Sequence, residues 1–128
     1  MGIYVHVPFC RSKCFYCGFY SVASLTLKEA YLEAVEREIV LRRGYLPRQE
    51  MKTLYFGGGT PSYLEHGDLE RIIRKLEENY LFATGMERTI ELNPEDLVPG
   101  KLQGIKDLGF NRLSIGVQSF SDEQLKRI

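Results

Sequence analysis

Outside one short segment the chain has no cysteine: all three thiols in 128 residues are Cys10, Cys14 and Cys17. An odd count packed into eight residues argues against a disulfide framework. Net charge is absent as well, with 17 Lys and Arg against 17 Asp and Glu. Without a basic run, neither nucleic acid nor an anionic lipid surface is the expected partner. No stretch approaches the roughly 20 apolar residues of a membrane span. The opening Met1-Gly2-Ile3-Tyr4-Val5-His6-Val7-Pro8 lacks a basic n-region and reaches a proline early, so it does not read as a signal peptide. Repeats, low-complexity tracts and linkers are missing too. What remains is a chain 44% hydrophobic, of one-domain length, with enough apolar residues for a core. A soluble, cytoplasmic α/β domain is expected.

Strand and helix patterns alternate. Ile3–Val7 is an apolar strand ending at Pro8. Thr26-Leu27-Lys28-Glu29 has the form of a capping box, with Thr26 as N-cap. The helix after it carries Leu27, Tyr31, Val35 and Ile39 on one face and stops at Gly44. Thr53–Phe56 is a second strand, running into Gly57-Gly58-Gly59-Thr60-Pro61-Ser62. Asp68 is placed to cap a helix with Leu69, Ile72, Ile73, Leu76 and Tyr80 inward. A third strand, Arg88–Leu92, ends at Asn93-Pro94. Pro99 suits the first turn of a third helix, with Leu102, Ile105 and Leu108 inward and Gly109 beyond its end. Arg112–Val117 is a fourth strand, and Ser121-Asp122-Glu123-Gln124 a second capping box, opening a helix towards Ile128.

Strand, helix, strand, helix at this spacing predicts parallel βαβ units. Four strands and three and a half helices do not close a barrel. Residues 1–128 are therefore expected to be the N-terminal half of a larger barrel, with an open edge after the fourth strand. Strand parity divides the side chains. Ile3, Val5 and Val7 oppose Tyr4 and His6; Leu54 and Phe56 oppose Tyr55 and Gly57; Ile90 and Leu92 oppose Glu91 and Asn93; Leu113, Ile115 and Val117 oppose Ser114, Gly116 and Gln118. A parallel sheet buried on both faces is aliphatic on both. One polar face instead predicts an interior that holds a ligand, with functional groups at the C-terminal strand ends. The three cysteines, the Gly-Gly-Gly-Thr loop, Glu91 and Gln118 all fall there.

The thiols follow the pattern Cys-x3-Cys-x2-Cys. Such a trio can hold three irons of a four-iron cluster and leave the fourth iron open. Structural zinc, with His6 as fourth ligand, is the competing reading, although zinc sites usually draw two ligand pairs from separate segments. The Gly57–Thr60 loop reads either as a strand-to-helix turn or as a place where backbone approaches a ligand; no Gly-Lys-Ser/Thr follows, so it is not a Walker loop. Glu91 is a barrel-facing carboxylate, costly to bury without a partner. Gln118 reads either as a hydrogen-bonded core residue or as a ligand contact. His6 is read as a hydrogen-bonded wall residue and Arg112 as a solvated strand-end charge. Phe9, Phe15, Tyr16, Phe19 and Tyr20 are expected to pack around the thiols, restricting water.

Cys-x3-Cys-x2-Cys after a first strand, with an aromatic residue before the last cysteine, resembles the radical S-adenosylmethionine (SAM) superfamily. Four blocks extend the likeness. Tyr4-Val5-His6-Val7-Pro8-Phe9-Cys10, Tyr55-Phe56-Gly57-Gly58-Gly59-Thr60-Pro61-Ser62, Glu91-Leu92-Asn93-Pro94 and Asn111-Arg112-Leu113-Ser114-Ile115-Gly116-Val117-Gln118-Ser119-Phe120 are similar to the oxygen-independent coproporphyrinogen III oxidase group. The resemblance implies the N-terminal part of a TIM-like radical SAM barrel, followed by the rest of the barrel and a C-terminal domain. It implies a [4Fe–4S] cluster on Cys10, Cys14 and Cys17, and SAM held by Tyr4, Gly58, Gly59, Thr60, Glu91 and Gln118. In that family the open iron chelates SAM, and electron transfer yields a 5′-deoxyadenosyl radical.

Two departures point to one branch. The decarboxylating enzymes carry a fourth cysteine two positions after the third, where this chain has Phe19. They also carry an N-terminal extension, whereas Tyr4 here is almost at the start. Both features resemble the HemW branch, which implies a chaperone that carries haem to acceptor proteins. The alternative implied is oxidative decarboxylation of coproporphyrinogen propionates to vinyl groups, with a flavodoxin or ferredoxin as electron donor.

Overall fold

In the computed structural model residues 1–45 and 49–127 are described; Ile128, to which the last helix was extrapolated, lies outside them. The strands are β1 (Gly2–Val7), β2 (Met51–Gly58), β3 (Phe82–Leu92) and β4 (Arg112–Ile115). The helices are α1 (Lys28–Arg42), α2 (His66–Asn79), α3 (Pro99–Asp107) and the single turn α4 (Asp122–Leu125). All strand pairs are parallel, and the sheet order β1-β2-β3-β4 follows the sequence. This is the expected α/β architecture, the opening part of a β/α barrel with helices outside.

Strand parity survives in three dimensions. Val5, Phe56, Ile90 and Leu113 are in register across the sheet, as are Tyr4, Tyr55, Thr89 and Arg112. The first row belongs to the face that α1, α2 and α3 cover, where Val5, Val7, Leu54, Phe56, Ile90 and Leu92 are buried with Leu69, Ile72, Ile73, Leu76 and Ile105. At ~25 cal/mol per Å² of apolar surface, this face supplies most of the driving force for folding. The second row carries hydroxyls and charges; Tyr4 and Arg112 are exposed and Tyr55 is half-buried, while Thr89 is buried. Leu113 and Ile115 are exceptions on the covered side; both remain exposed on edge strand β4.

Several boundaries shift, for local reasons. Strand β3 starts six residues early, at Phe82, and β2 runs from Met51 to Gly58. Strand β4 ends at Ile115, because the Val117 amide turns back to the Ile115 carbonyl (3.1 Å). Thr26 does not cap α1: its hydroxyl pairs with that of Ser24 (2.8 Å), and Leu27 takes the N-cap position. A Ser–Thr turn has outcompeted the box. Leu27 is consequently exposed, and Leu32 joins Ile39 as the buried pair of α1. Asp68 is the third helical residue of α2, not its cap; its carboxylate accepts the Glu65 amide (3.1 Å) and the Lys28 ammonium (2.8 Å). At α4 only the Ser121 half of the box forms, since the Gln124 side chain meets the Ser119 hydroxyl instead. Arg71 links α2 to Glu29 and Glu36 of α1 (2.5 and 2.6 Å).

Candidate functional site

The C-terminal strand ends surround a cleft of ≈ 400 Å³, within the range of small-molecule sites. Its lining includes Cys10, Cys14 and Cys17, Gly58, Gly59 and Thr60, Glu91, and Gln118. Eight of the nine predicted site residues thus meet at one place. Tyr4 does not join the lining. It borders a second hollow of ≈ 390 Å³ between the edge of β1 and α1, with Tyr31 and Val35. Its connection to the cleft is indirect: the Tyr4 ring stacks on Tyr55 (centroids 6.0 Å apart, 30° between planes), and Tyr55 holds Glu91. Burial first, and the Glu91 charge second, push the Tyr4 phenol above its ordinary value.

The glycine loop is built by close approach. A Cβ on Gly58 would lie 2.6 Å from the His6 ring, and Gly58 has φ +115°, a region that L side chains rarely occupy. A Cβ on Gly59 would lie 2.6 Å from the Phe9 carbonyl oxygen and 3.0 Å from Cys10 Sγ. The glycines therefore let the end of β2 lie against the cysteine loop. The amides of this loop are spent inside the chain. Gly58 donates to Glu91 Oε2 (3.0 Å), Gly59 to the Val7 carbonyl (2.8 Å) and Thr60 to the Phe9 carbonyl (2.7 Å). To a ligand the loop presents acceptors and the Thr60 hydroxyl, which reaches Cys10 Sγ at 3.8 Å. Acceptors suit an amino group.

Glu91 has two partners that its sequence position did not reveal. Besides the Gly58 amide it accepts the Tyr55 hydroxyl at Oε1 (2.7 Å). That bond, then burial, raises the Tyr55 pKa. The carboxylate is fixed in place at the cleft wall and keeps free lone pairs for ligand hydroxyls. Gln118, read as either core residue or contact, is exposed at the cleft, and its φ of +64° is the only positive value among non-glycine residues described. Such a conformation costs about 1–3 kcal/mol and persists where surroundings hold it.

The cysteine loop starts from a clamp. Phe9 is buried and bridges to Val22, the Cys10 amide donates to the Val22 carbonyl (3.1 Å), and the Val22 amide to that of Pro8 (2.7 Å). All three thiols are free and half-buried. They are soft donors on one loop at one cleft, which fits an iron–sulfur cluster taking one thiolate per iron. The zinc alternative loses its fourth ligand: His6 Nδ1 meets the Tyr4 hydroxyl and Nε2 the Tyr20 carbonyl, each at 3.0 Å. His6 is a wall residue, as expected, and Arg112 an exposed one paired with Glu87 (2.8 Å). The expected aromatic shell is not there. Only Phe9 is buried, while Phe15, Tyr16, Phe19 and Tyr20 are exposed, Phe15 by 80%. A ten-residue excursion from the sheet has no core beneath it to pack on.

Asp96 escaped the sequence reading altogether. It is 1% exposed and accepts from Lys101 Nζ (2.7 Å), Ser62 Oγ (2.5 Å) and Arg11 Nη2 (3.2 Å). Burial pushes its carboxyl up, but Lys101, Ser62 and Arg11 outweigh this and hold it below the ordinary range. Its partners lie up to 85 residues away, so no local pattern marks it. Tyr55 could have been found, since it shares the parity of Gly57 and the register of Tyr4.

A family model described as the radical SAM superfamily matches residues 4–128. The oxygen-independent coproporphyrinogen III oxidase of Escherichia coli is 38% identical over 125 residues, which are 96% of this chain and 27% of that protein. The heme chaperone HemW of Synechocystis sp. is 43% identical over 129 residues, 95% of this chain and 31% of the relative. HemW of Bacillus subtilis is 37% identical, with 98% and 34% covered. The chain thus spans between about a quarter and a third of these relatives. The solved structure of coproporphyrinogen III oxidase (HemN) from Escherichia coli, described as a radical SAM enzyme, superposes with a TM-score of 0.90 at 37% identity, over 98% of this chain and 29% of that one.

Proposed function

The chain belongs to the radical SAM superfamily, and from that premise we propose that its cleft holds a [4Fe–4S] cluster on Cys10, Cys14 and Cys17 with SAM beside it. Membership of the family, in the group of HemN-type oxidases and HemW chaperones, itself implies cluster and SAM. The observation that carries the residue assignment is the convergence of three free thiols, the Gly58–Thr60 acceptors and the fixed Glu91 carboxylate on one cleft. A cluster held by Cys10, Cys14 and Cys17 would supply, once reduced, the electron needed for cleavage of the SAM sulfonium. The polypeptide binds and orients. Gly59 and Thr60 offer acceptors to the amino end of SAM. Glu91, held by Tyr55 and Gly58, accepts from ribose hydroxyls. Gln118 closes the cleft from the segment after β4, and Tyr4 acts through its stack on Tyr55. Residues 1–128 form the N-terminal part of the core domain in this reading.

For the whole protein we infer haem delivery to acceptor proteins, the HemW role. Phe19 supports this. It lines the cleft at the position where the decarboxylating branch carries a fourth cysteine. The relatives' identities fall on both sides, so the chemistry must discriminate. Anaerobic incubation of the reconstituted, intact protein with SAM, a reductant and coproporphyrinogen is expected to give no vinyl product, while haem is captured and passed on. Formation of protoporphyrinogen would overturn the chaperone reading in favour of the oxidase. Absence of iron and sulfide after reconstitution would overturn the cluster assignment.

A further inference from the structure

Between Cys10 and Cys14 the chain places Arg11, which borders the same cleft as the thiols, is half exposed, and reaches across to the turn after β3. Its Nη2 donates to Asp96 Oδ1 (3.2 Å), its Nε pairs with Glu95 Oε1 (3.2 Å), and its guanidinium lies over the Tyr63 ring, 5.6 Å from the centroid. Asp96 is the buried end of this contact. Ser62, just past the glycine loop, and Lys101, on α3, complete its shell. Four segments therefore meet at one carboxylate: the cysteine loop, the turn after β2, the turn after β3, and α3. Surface ion pairs hold little, but here the anion is out of solvent and its second oxygen is bonded too.

Two features separate a loop anchor from general folding glue. Lys101 already neutralises Asp96, so Arg11 is a second cation that the buried charge does not need. The loop, in contrast, needs a tether. Residues 11–20 are exposed apart from two half-buried cysteines, and among the described residues the one backbone hydrogen bond closed within 11–21 runs from the Cys17 amide to the Cys14 carbonyl (3.1 Å). Its base is clamped at Phe9 and Val22, and its far end is held where the Tyr20 carbonyl meets His6 Nε2 (3.0 Å); at its near end, Arg11 connects it to a buried group. We propose that Arg11 is a positioning residue, clasped by Asp96, that holds the cysteine loop in the shape that receives and keeps the cluster. This rests on the cluster reading above.

The test compares Arg11→Ala and Arg11→Lys with the parent in the intact protein. In the unloaded state, hydrogen exchange of amides 11–20 is expected to quicken in the alanine variant while the thermal midpoint stays close to the parent's. After anaerobic reconstitution, the alanine variant should lose its cluster to a chelator on the order of tenfold faster, the lower end for removing a group that orients a metal ligand. The reduced cluster's electron paramagnetic resonance spectrum should shift, and lysine should restore part of both. Parent-like exchange together with a parent-like cluster lifetime in Arg11→Ala would sink the clasp. If the parent itself takes up no iron, the cluster reading fails, and exchange alone decides the anchor: faster supports it, unchanged overturns it.

Discussion

The glycine loop and the cysteine loop face each other across one cleft, yet they are made differently. Residues 57–62 lie against the sheet. Thr60, Pro61 and Ser62 are buried, and the amides of residues 58–60 each have a partner inside the chain. Residues 11–20 are largely in solvent, with one internal backbone bond. The first is shaped by the fold before any ligand arrives. The second relies on a clamp, the clasp at Asp96, and the group that its thiols are proposed to hold. Preorganisation thus sits on one side of the site, and adaptability on the other.

The largest expected effect breaks the cysteine side without touching the fold. Cys14→Ser should reduce iron and sulfide per chain after reconstitution to the level of the unloaded protein, with the unfolding midpoint of the unloaded protein unchanged; retained cluster would show that this side does not depend on its thiols. Asp96→Asn strikes the point where the two sides are joined. The cations left behind, Lys101 and Arg11, are partly exposed and can turn to solvent, so the loss is that of the charge-assisted hydrogen bonds, about 1.5–3 kcal/mol, to be read from urea unfolding at pH 7. The sign of the pH dependence follows. Asp96 has a depressed folded pKa, so its contribution is complete above the unfolded value of roughly 3.9 and disappears as pH falls through the lower folded value. The variant should lose that part of the acid dependence, and parallel parent and variant curves below pH ~4 would contradict the burial of a charged Asp96.

Gly59→Ala tests the preformed side. Its methyl group would collide with the Phe9 carbonyl and crowd Cys10 Sγ, which should cost roughly 1–3 kcal/mol of stability; a neutral result would mean that the two loops are not in contact. Smaller still is Tyr55→Phe. It deletes one hydrogen bond to the Glu91 carboxylate and should weaken SAM binding by calorimetry about tenfold, or roughly 1.4 kcal/mol. Unaltered affinity would place Glu91 away from the ligand. At the bottom of the scale, Phe15→Ala removes a ring that is 80% exposed and should change stability by less than about 0.5 kcal/mol.

Much of this was readable in the chain. The aliphatic parity of Val5, Val7, Leu54, Phe56, Ile90 and Leu92 located the covered face, and the polar residues between them located the open one. Cap residues misled, because Thr26 and Asp68 had other local partners available, and a hydroxyl or carboxylate takes whichever donor lies nearest. The aromatic residues beside the thiols misled in another way. Hydrophobicity predicts burial only where a surface exists to bury against, and the loop extends beyond the sheet.

Periodicity and motif by themselves determined the parallel β/α order, the thiol trio and five further residues that border the cleft, because alternation, turn chemistry and short spacings are local quantities carried by neighbouring residues. Tertiary structure alone decided that Glu91 is held by Tyr55, that His6 has no free nitrogen for a metal, that Tyr4 stands behind the cleft, and that Arg11 reaches Asp96. Each of those depends on which strand ends and turns come within about 3 Å of one another, and that is settled only when distant segments pack around a common core.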